Sequence, residues 1–348
     1  MILPFLAHLT TPGTSSVVSE AAVKLGDAGA FPSPDSARAT LDRLLATGRL
    51  VPRSRPELFV VEMVGDGCIV AGVLAVVSAD HEVRPHERVL SDRVSSLTRH
   101  LDAVGAEAVP VTLAHRRHRA IADRVAAVTS GTPLLEARLG ESAERVWVVD
   151  PDTELVDLLS GALYIVDGHH RVAAAAQRGT GFLALIVPAE QLRLAAFHRV
   201  VLDGAQDSGW LLRRLQQMGM RAAGRVEPAP GEVSVIVGGV WYTLALPSAA
   251  ERSGTAARLD ASRLHRLVLG PLLGAGEDCI AGRVEAVPAT AGLEGLTAPG
   301  VMAGFALAPP SIEDVLAVAD CGETLPAKTT YATPKPLAGL VVRLIGAR

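Results

Sequence analysis

The stretch "LYIVDGHHRVAAAAQRG", Leu163 to Gly179, decides how the chain reads. Leu163 to Val166 are aliphatic or aromatic, the signature of a buried strand. The run stops at Asp167-Gly168, and an alanine-rich helical segment begins at once. An acid, two imidazoles and a guanidinium therefore stand at a strand-to-helix turn. The first turn of a helix has backbone N–H groups without internal partners and a partial positive charge. Phosphate binds readily at such an end. Gly168 lets the backbone turn sharply and approach a ligand. Arg171 supplies a planar fork suited to phosphate oxygens. His169 and His170 can donate hydrogen bonds or carry a proton near neutral pH. Asp167 can cap the helix, hold a metal such as Mg²⁺, or accept a proton from an attacking hydroxyl. Four polar residues at the end of an apolar strand point to a site. Their spacing matches no standard metal-ligand set.

Outward from this turn, strands and helices interleave. Residues 33–51 read as a helix capped by Ser36 or Asp35 and stopped by Gly48. Two β-branched runs around Gly65-Asp66-Gly67 read as a hairpin. A helix capped by Ser91 or Asp92, a strand at "AVPVTLAH" and a third helix ending at Gly131 follow. After about residue 205 come a helix at "SGWLLRRLQQMGM", a hairpin turned by Gly238-Gly239, a helix broken at Pro271, and a strand–helix–loop–strand tail. The class is α+β, a mixed sheet with hairpins and flanking helices.

The 348 residues suit two domains, and 49% hydrophobic residues suffice for a buried core. A net charge of −4 and 3% aromatics give no basis for nucleic-acid binding. Three scattered cysteines, Cys68, Cys279 and Cys321, imply neither a disulfide framework nor a zinc ribbon. The longest apolar run, Cys68 to Val77, is far too short to span a bilayer. No leader is evident, so a cytoplasmic protein is expected.

Other polar clusters are less specific. His86-Glu87-Arg88, with Asp92-Arg93, reads equally as a solvated loop with a helix cap or as a site wall. His198-Arg199 lies inside a strand, where basic residues point to a cleft. "GETLPAKTT", Gly322 to Thr330, imitates a phosphate loop, but Ala327 replaces its second glycine, and Pro334 and Pro336 forbid the helix that must follow. Lys328, Thr329 and Thr330 could still reach an anion from a loop, with Lys335 assisting. The basic run His115 to Arg124 reads as a solvated helix.

The DGHHR turn with its small-residue helix resembles the signature of the family catalogued as domain of unknown function 1015. "VRPHERVLSDRVSSL" (83–97), "AAFHRVV" (195–201) and "ADCGETLPAKTTYATPKPLAGLVVRL" (319–344) resemble further blocks of that family in the expected order. The resemblance runs over roughly residues 50–348. The family's Ala-Pro-Pro-Tyr-Asp element is missing from the first 50. More loosely, the motif is similar to that of ParB partition proteins and sulfiredoxins, and to free-serine kinases. This likeness implies a divergent segment at 1–50, a ParB/sulfiredoxin-like core at 51–205, and an α+β region at 206–348 packed on that core.

The resemblance implies a nucleotide-binding phosphotransferase for a small molecule, using ADP or ATP with Mg²⁺ at Asp167. Asp167, His169, His170 and Glu87 are its expected catalytic residues. Gly168, Arg171, His86, Arg88, His198, Arg199, Lys328 and Thr329 are the expected phosphate or cofactor ligands. Membrane and nucleic acid are not expected partners, and a homodimer is left open. Two other readings stay open. One is a nucleotide-responsive module without turnover. The other is a metal-dependent hydrolase built on His86, Asp167, His169 and His170.

Overall fold

The computed structural model describes residues 1–11, 33–116, 119–150, 153–202, 208–248, 253–274 and 284–346. The chain forms two compact units. The first comprises Met1–Arg84, Val89–Arg193 and Thr333–Arg348; the second comprises Pro85–Arg88 and Leu194–Ala332.

In the first unit, helix α1 (Pro34–Ala46) precedes the hairpin β1 (Leu58–Gly65) and β2 (Cys68–Val77). Asp66 and Gly67 both have positive φ, 51° and 69°, the geometry that matches a two-residue turn to strand twist. Then come α2 (Ser91–Val104), β3 (Val111–His115), α3 (Arg119–Thr129), β4 (Ser142–Val149), α4 (Thr153–Leu158), β5 (Leu163–Asp167), α5 (His169–Arg178) and β6 (Phe182–Pro188). The main sheet runs Val83–Arg84, β5, β3, β6, β2, β1, β4, Leu135–Leu139, and Ile2–Leu3 adds to β2. β3 and β6 are parallel; β6, β2, β1 and β4 pair antiparallel. Val60, Val73, Leu113, Trp147, Ile165 and Ile186 line one face and pack under Ile121, Val125, Leu155 and Leu159 of the α3–α4 region. This is the period-2 pattern of strands meeting the 3.6 period of helices. Strands Leu50–Pro52, Ala7–Thr10, Val341–Leu344 and Ala106–Glu107 form a small sheet in the same unit. Val342 and Leu50 of that sheet pack with Leu41 and Leu44 of α1.

In the second unit, β7 (Arg193–Leu202), α6 (Ser208–Gln217), β8 (Glu232–Val237), β9 (Val240–Ala245), α7 (Asp260–Leu264), β10 (Val284–Pro288), β11 (Val301–Leu307), α8 (Ile312–Asp320) and β12 (Thr330–Thr333) follow in order. The sheet order is Arg221–Ala222, β9, β8, β11, β7, β10, with β12 also on β7. Val233, Val235, Phe305 and Leu307 face Leu211, Leu215, Leu264 and Val268; Ile236, Ala306 and Val200 face Leu293 and Leu296.

The mixed α+β class therefore holds, and several local expectations are corrected. Ser33, not Ser36 or Asp35, caps α1, because its side chain accepts from the Ser36 N–H. Neither Ser91 nor Asp92 caps α2, whose N-cap is Leu90. Pro271 does not break its helix. α7 runs on through a π-helical turn, His265–Leu269, into Gly270–Leu273. The widened turn accommodates a residue that lacks an N–H and crowds the preceding carbonyls. His115 ends β3 and is buried rather than on a solvated helix. Arg116 lies with Arg84 against the Tyr164 ring. No helix among the described residues is long and apolar enough to cross a membrane.

Candidate functional site

The quoted turn is a strand–glycine–helix junction in the first unit. β5 pairs antiparallel with β3 until Ile165 opposes Leu113; the next pair is Asp167 with Thr112, so one extra residue is accommodated on β5. Such a bulge re-aims the side chain that follows it. Leu163 and Ile165 point into the main core, and the shift turns Asp167 away from them. Gly168 is the N-cap of α5, with φ 103° and ψ 26°. A Cβ there would lie 3.0 Å from the Arg171 guanidinium, so both the conformation and the close approach select glycine.

No side chain caps α5, so of the roles open to Asp167 that of helix cap is not the one it takes. Its carboxylate is held by two cations instead. Arg171 Nη2 donates to Oδ2 at 2.5 Å, and Lys335 Nζ donates to Oδ1 at 2.8 Å. Arg171 Nη1 also donates to the Val109 and Pro110 carbonyls, at 2.9 and 2.6 Å. The fork expected to meet a phosphate is thus occupied with Asp167 and the loop that leads into β3. It builds the turn, and its side chain is only 12% exposed. Lys335 is the cation nearest solvent in this group, with 41% of its side chain exposed.

His170 Nε2 accepts from the Leu90 N–H at 3.0 Å. That bond ties the start of α2 to the start of α5 and keeps the proton off this ring nitrogen. His169 is buried.

The segment that carries Lys335 is fixed within the same unit. The Leu337 N–H donates to Glu144 Oε2 at 2.7 Å, and the Gly339 N–H donates to the Ala108 carbonyl at 2.7 Å. Pro334 lies against Gly65 in the β1–β2 turn. Glu144 is fully buried, and its burial pushes the carboxyl up to about 8, while the Leu337 amide draws it down.

A resident Mg²⁺ does not fit this donor set. Both Asp167 oxygens are taken by cations, and among the described residues no group of three or more His, Cys, Asp or Glu could hold a metal. The same observation counts against the hydrolase set His86, Asp167, His169 and His170.

The remaining expected residues lie in the second unit, around the Gly322–Thr330 loop. His86 Nε2 is 3.1 Å from Thr330 Oγ1, Glu87 bridges Leu325, and Arg88 Nε donates to Thr324 Oγ1 at 3.3 Å. His198 and Arg199 are each 1% exposed. They are interior residues, not side chains on an open cleft. Arg199 donates to the carbonyls of Phe197, His198 and Ala327. His198 Nδ1 accepts from the Leu307 N–H, and burial followed by the neighbouring Arg199 lowers its pKa to about 4, so the ring is neutral. Lys328 has φ 58°, left-handed for a non-glycine residue, and its ammonium sits 5.5 Å from the Phe197 ring centroid. The Thr329 hydroxyl donates to Pro326 O at 2.6 Å.

Lys335 has only an assisting part in the pattern of the motif, yet it is the residue that meets Asp167. A compositional signal was available: of 33 Lys and Arg residues, only Lys24, Lys328 and Lys335 are lysine. A chain that otherwise uses arginine places two of its three lysines seven positions apart in one block.

The chain belongs to the family described as "Protein of unknown function (DUF1015)", whose model matches residues 17–262. The match takes in much of the N-terminal segment and stops before the 319–344 block. No curated protein sequence matches the chain. Similar solved structures include SbnI with a C-terminal truncation from Staphylococcus aureus, at 15% identity over 78% of this chain and 87% of that one, with a TM-score of 0.49. A free serine kinase in complex with AMP is 15% identical over 78% of this chain and 91% of that one, with a TM-score of 0.44. A conserved hypothetical protein from Pyrococcus furiosus is 16% identical over 78% and 95%, with a TM-score of 0.41.

Proposed function

We propose that the Asp167–Arg171 turn and Lys335 form the phosphate site of a nucleotide-dependent phosphotransferase acting on a small hydroxyl compound. The observation that carries this reading is the Asp167 carboxylate gripped by Lys335 and Arg171 at the start of α5. An incoming phosphate meets the positive end of α5 and competes with Asp167 for the Lys335 ammonium. Transfer of Lys335 to the phosphate releases Oδ1, while Arg171 keeps Oδ2 in place. The released oxygen then accepts the proton of the acceptor hydroxyl. Ligand binding and base release are in this way one event. Phosphoryl transfer asks chiefly for positioning and charge stabilisation, which a lysine and a helix terminus supply. The resemblance of the DGHHR turn to free-serine kinases supports ADP or ATP as donor.

The test is phosphorus NMR of the purified protein with Mg²⁺ and ATP or ADP, with and without free serine and other small alcohols. A new phosphoester signal, lost in Lys335→Ala, is the expected result. Line broadening without product would make the chain a nucleotide-responsive binding module. Unperturbed nucleotide spectra would overturn the reading.

A further inference from the structure

Lys335 stands between Pro334 and Pro336, neither of which has an N–H to donate. The segment is therefore located by its neighbours' bonds. The nearest such donor on the C-terminal side is the Leu337 N–H, and it goes to a side chain, Glu144 Oε2 at 2.7 Å. Glu144 sits in β4 opposite Met63 of β1, with 4% of its surface exposed. Its side chain lies on the sheet face opposite Trp147 and Val149, which belong to the main core. Among the described residues it has no ion-pair partner; the Leu337 amide is the polar group it meets. A buried carboxyl with one backbone bond is costly to keep, and an apolar residue of similar size would fill the same space. What an apolar residue could not do is accept the Leu337 N–H.

We infer that Glu144 is a positioning residue for Lys335: by accepting the Leu337 N–H it fixes the Pro334–Leu337 segment so that the ammonium reaches the Asp167 turn. The assignment to nucleotide binding rests on the reading of that turn given above. Glu144 touches neither phosphate nor acceptor. It acts through two intervening residues of backbone, and the amide carbonyl of glutamine can take its place.

Five variants and two readouts test this. ATP affinity is measured by calorimetry for Glu144→Leu, Glu144→Met, Glu144→Gln, Lys335→Ala and the Glu144→Leu/Lys335→Ala double variant. Acylation of Lys335 by an amine reagent is followed by peptide mass spectrometry, with Lys328 as internal reference. Glu144→Leu, or Glu144→Met if the leucine variant does not fold, should weaken ATP binding to within about twofold of Lys335→Ala. It should add nothing in the double variant, and Glu144→Gln should restore affinity. Lys335 acylation should rise at least fivefold in the apolar variants and not in Glu144→Gln. Additive losses in the double variant, or full ATP affinity without the acceptor, would reduce Glu144 to a stability role and overturn the inference. If the unmodified protein binds no ATP, the phosphate reading fails by itself. Lys335 acylation then still decides whether Glu144 positions the lysine, and an unchanged rate overturns that too.

Discussion

Lys335 Nζ lies 2.8 Å from Asp167 Oδ1, across 168 residues of sequence. The pair joins the C-terminal block to the strand-to-helix turn, and several expectations follow from its geometry.

Replacing Lys335 by alanine should weaken ATP binding at least tenfold, the equivalent of about 1.4 kcal/mol. Stability should change by no more than about 1 kcal/mol, since the lysine is half exposed and such pairs contribute little. Calorimetric titration beside thermal unfolding separates the two effects. Equal losses in both would show that the lysine serves folding.

Arg171→Ala should behave in the opposite way. It removes the bonds to the Val109 and Pro110 carbonyls and leaves Asp167 without its nearly buried partner. A loss of about 2–3 kcal/mol is expected, or a fall in Tm of roughly 5–10 °C. A variant that melts with the unmodified protein would place the guanidinium in ligand binding after all.

Gly168→Ala combines a strained φ of 103° with a Cβ 3.0 Å from the guanidinium. The cost should exceed about 1 kcal/mol. Far-UV circular dichroism at equilibrium in urea measures it, and an unchanged midpoint would contradict the described junction.

Glu144 gives the protein a pH-dependent stability of defined sign. Its carboxyl is raised from 4.5 to about 8, so between these values the folded chain keeps a proton that the unfolded chain has released. Stability then falls as pH rises through that window, by up to about 1.4 kcal/mol per unit, and levels off above it. Urea midpoints from pH 5 to 9 should show this slope, and Glu144→Gln should flatten it. Identical slopes in the two proteins would mean that Glu144 is ionised at neutral pH.

Much of this architecture can be read from local pattern. The Asp66-Gly67 and Gly238-Gly239 hairpins, the strand at Leu163 and the helix at His169 all follow from short-range chemistry. The roles within the motif do not. Whether Arg171 meets a phosphate or two carbonyls depends on where the Val109-Pro110 loop passes, which is a long-range fact. The same holds for His170, whose acceptor role needs Leu90 beside it, and for Glu144, an ordinary surface residue by composition. Caps are not legible in composition, because Ser, Asp and their neighbours compete for one position and only backbone geometry decides among them. Lys335 was visible in its rarity, and rarity of one residue type says nothing of its partner.

The extra residue accommodated between Ile165 and Asp167 has a consequence for how such a site can be lost or gained. In an unbroken strand, position 167 would share the face of Leu163 and Ile165 and aim into the apolar interior. Removing the extra residue would straighten the strand and leave the carboxylate opposite Thr112, still turned away from the Leu163 and Ile165 face. Adding a further residue would advance the register by one and turn the carboxylate toward the apolar interior. The acid is presented by register, so this strand end tolerates shortening by one residue better than lengthening.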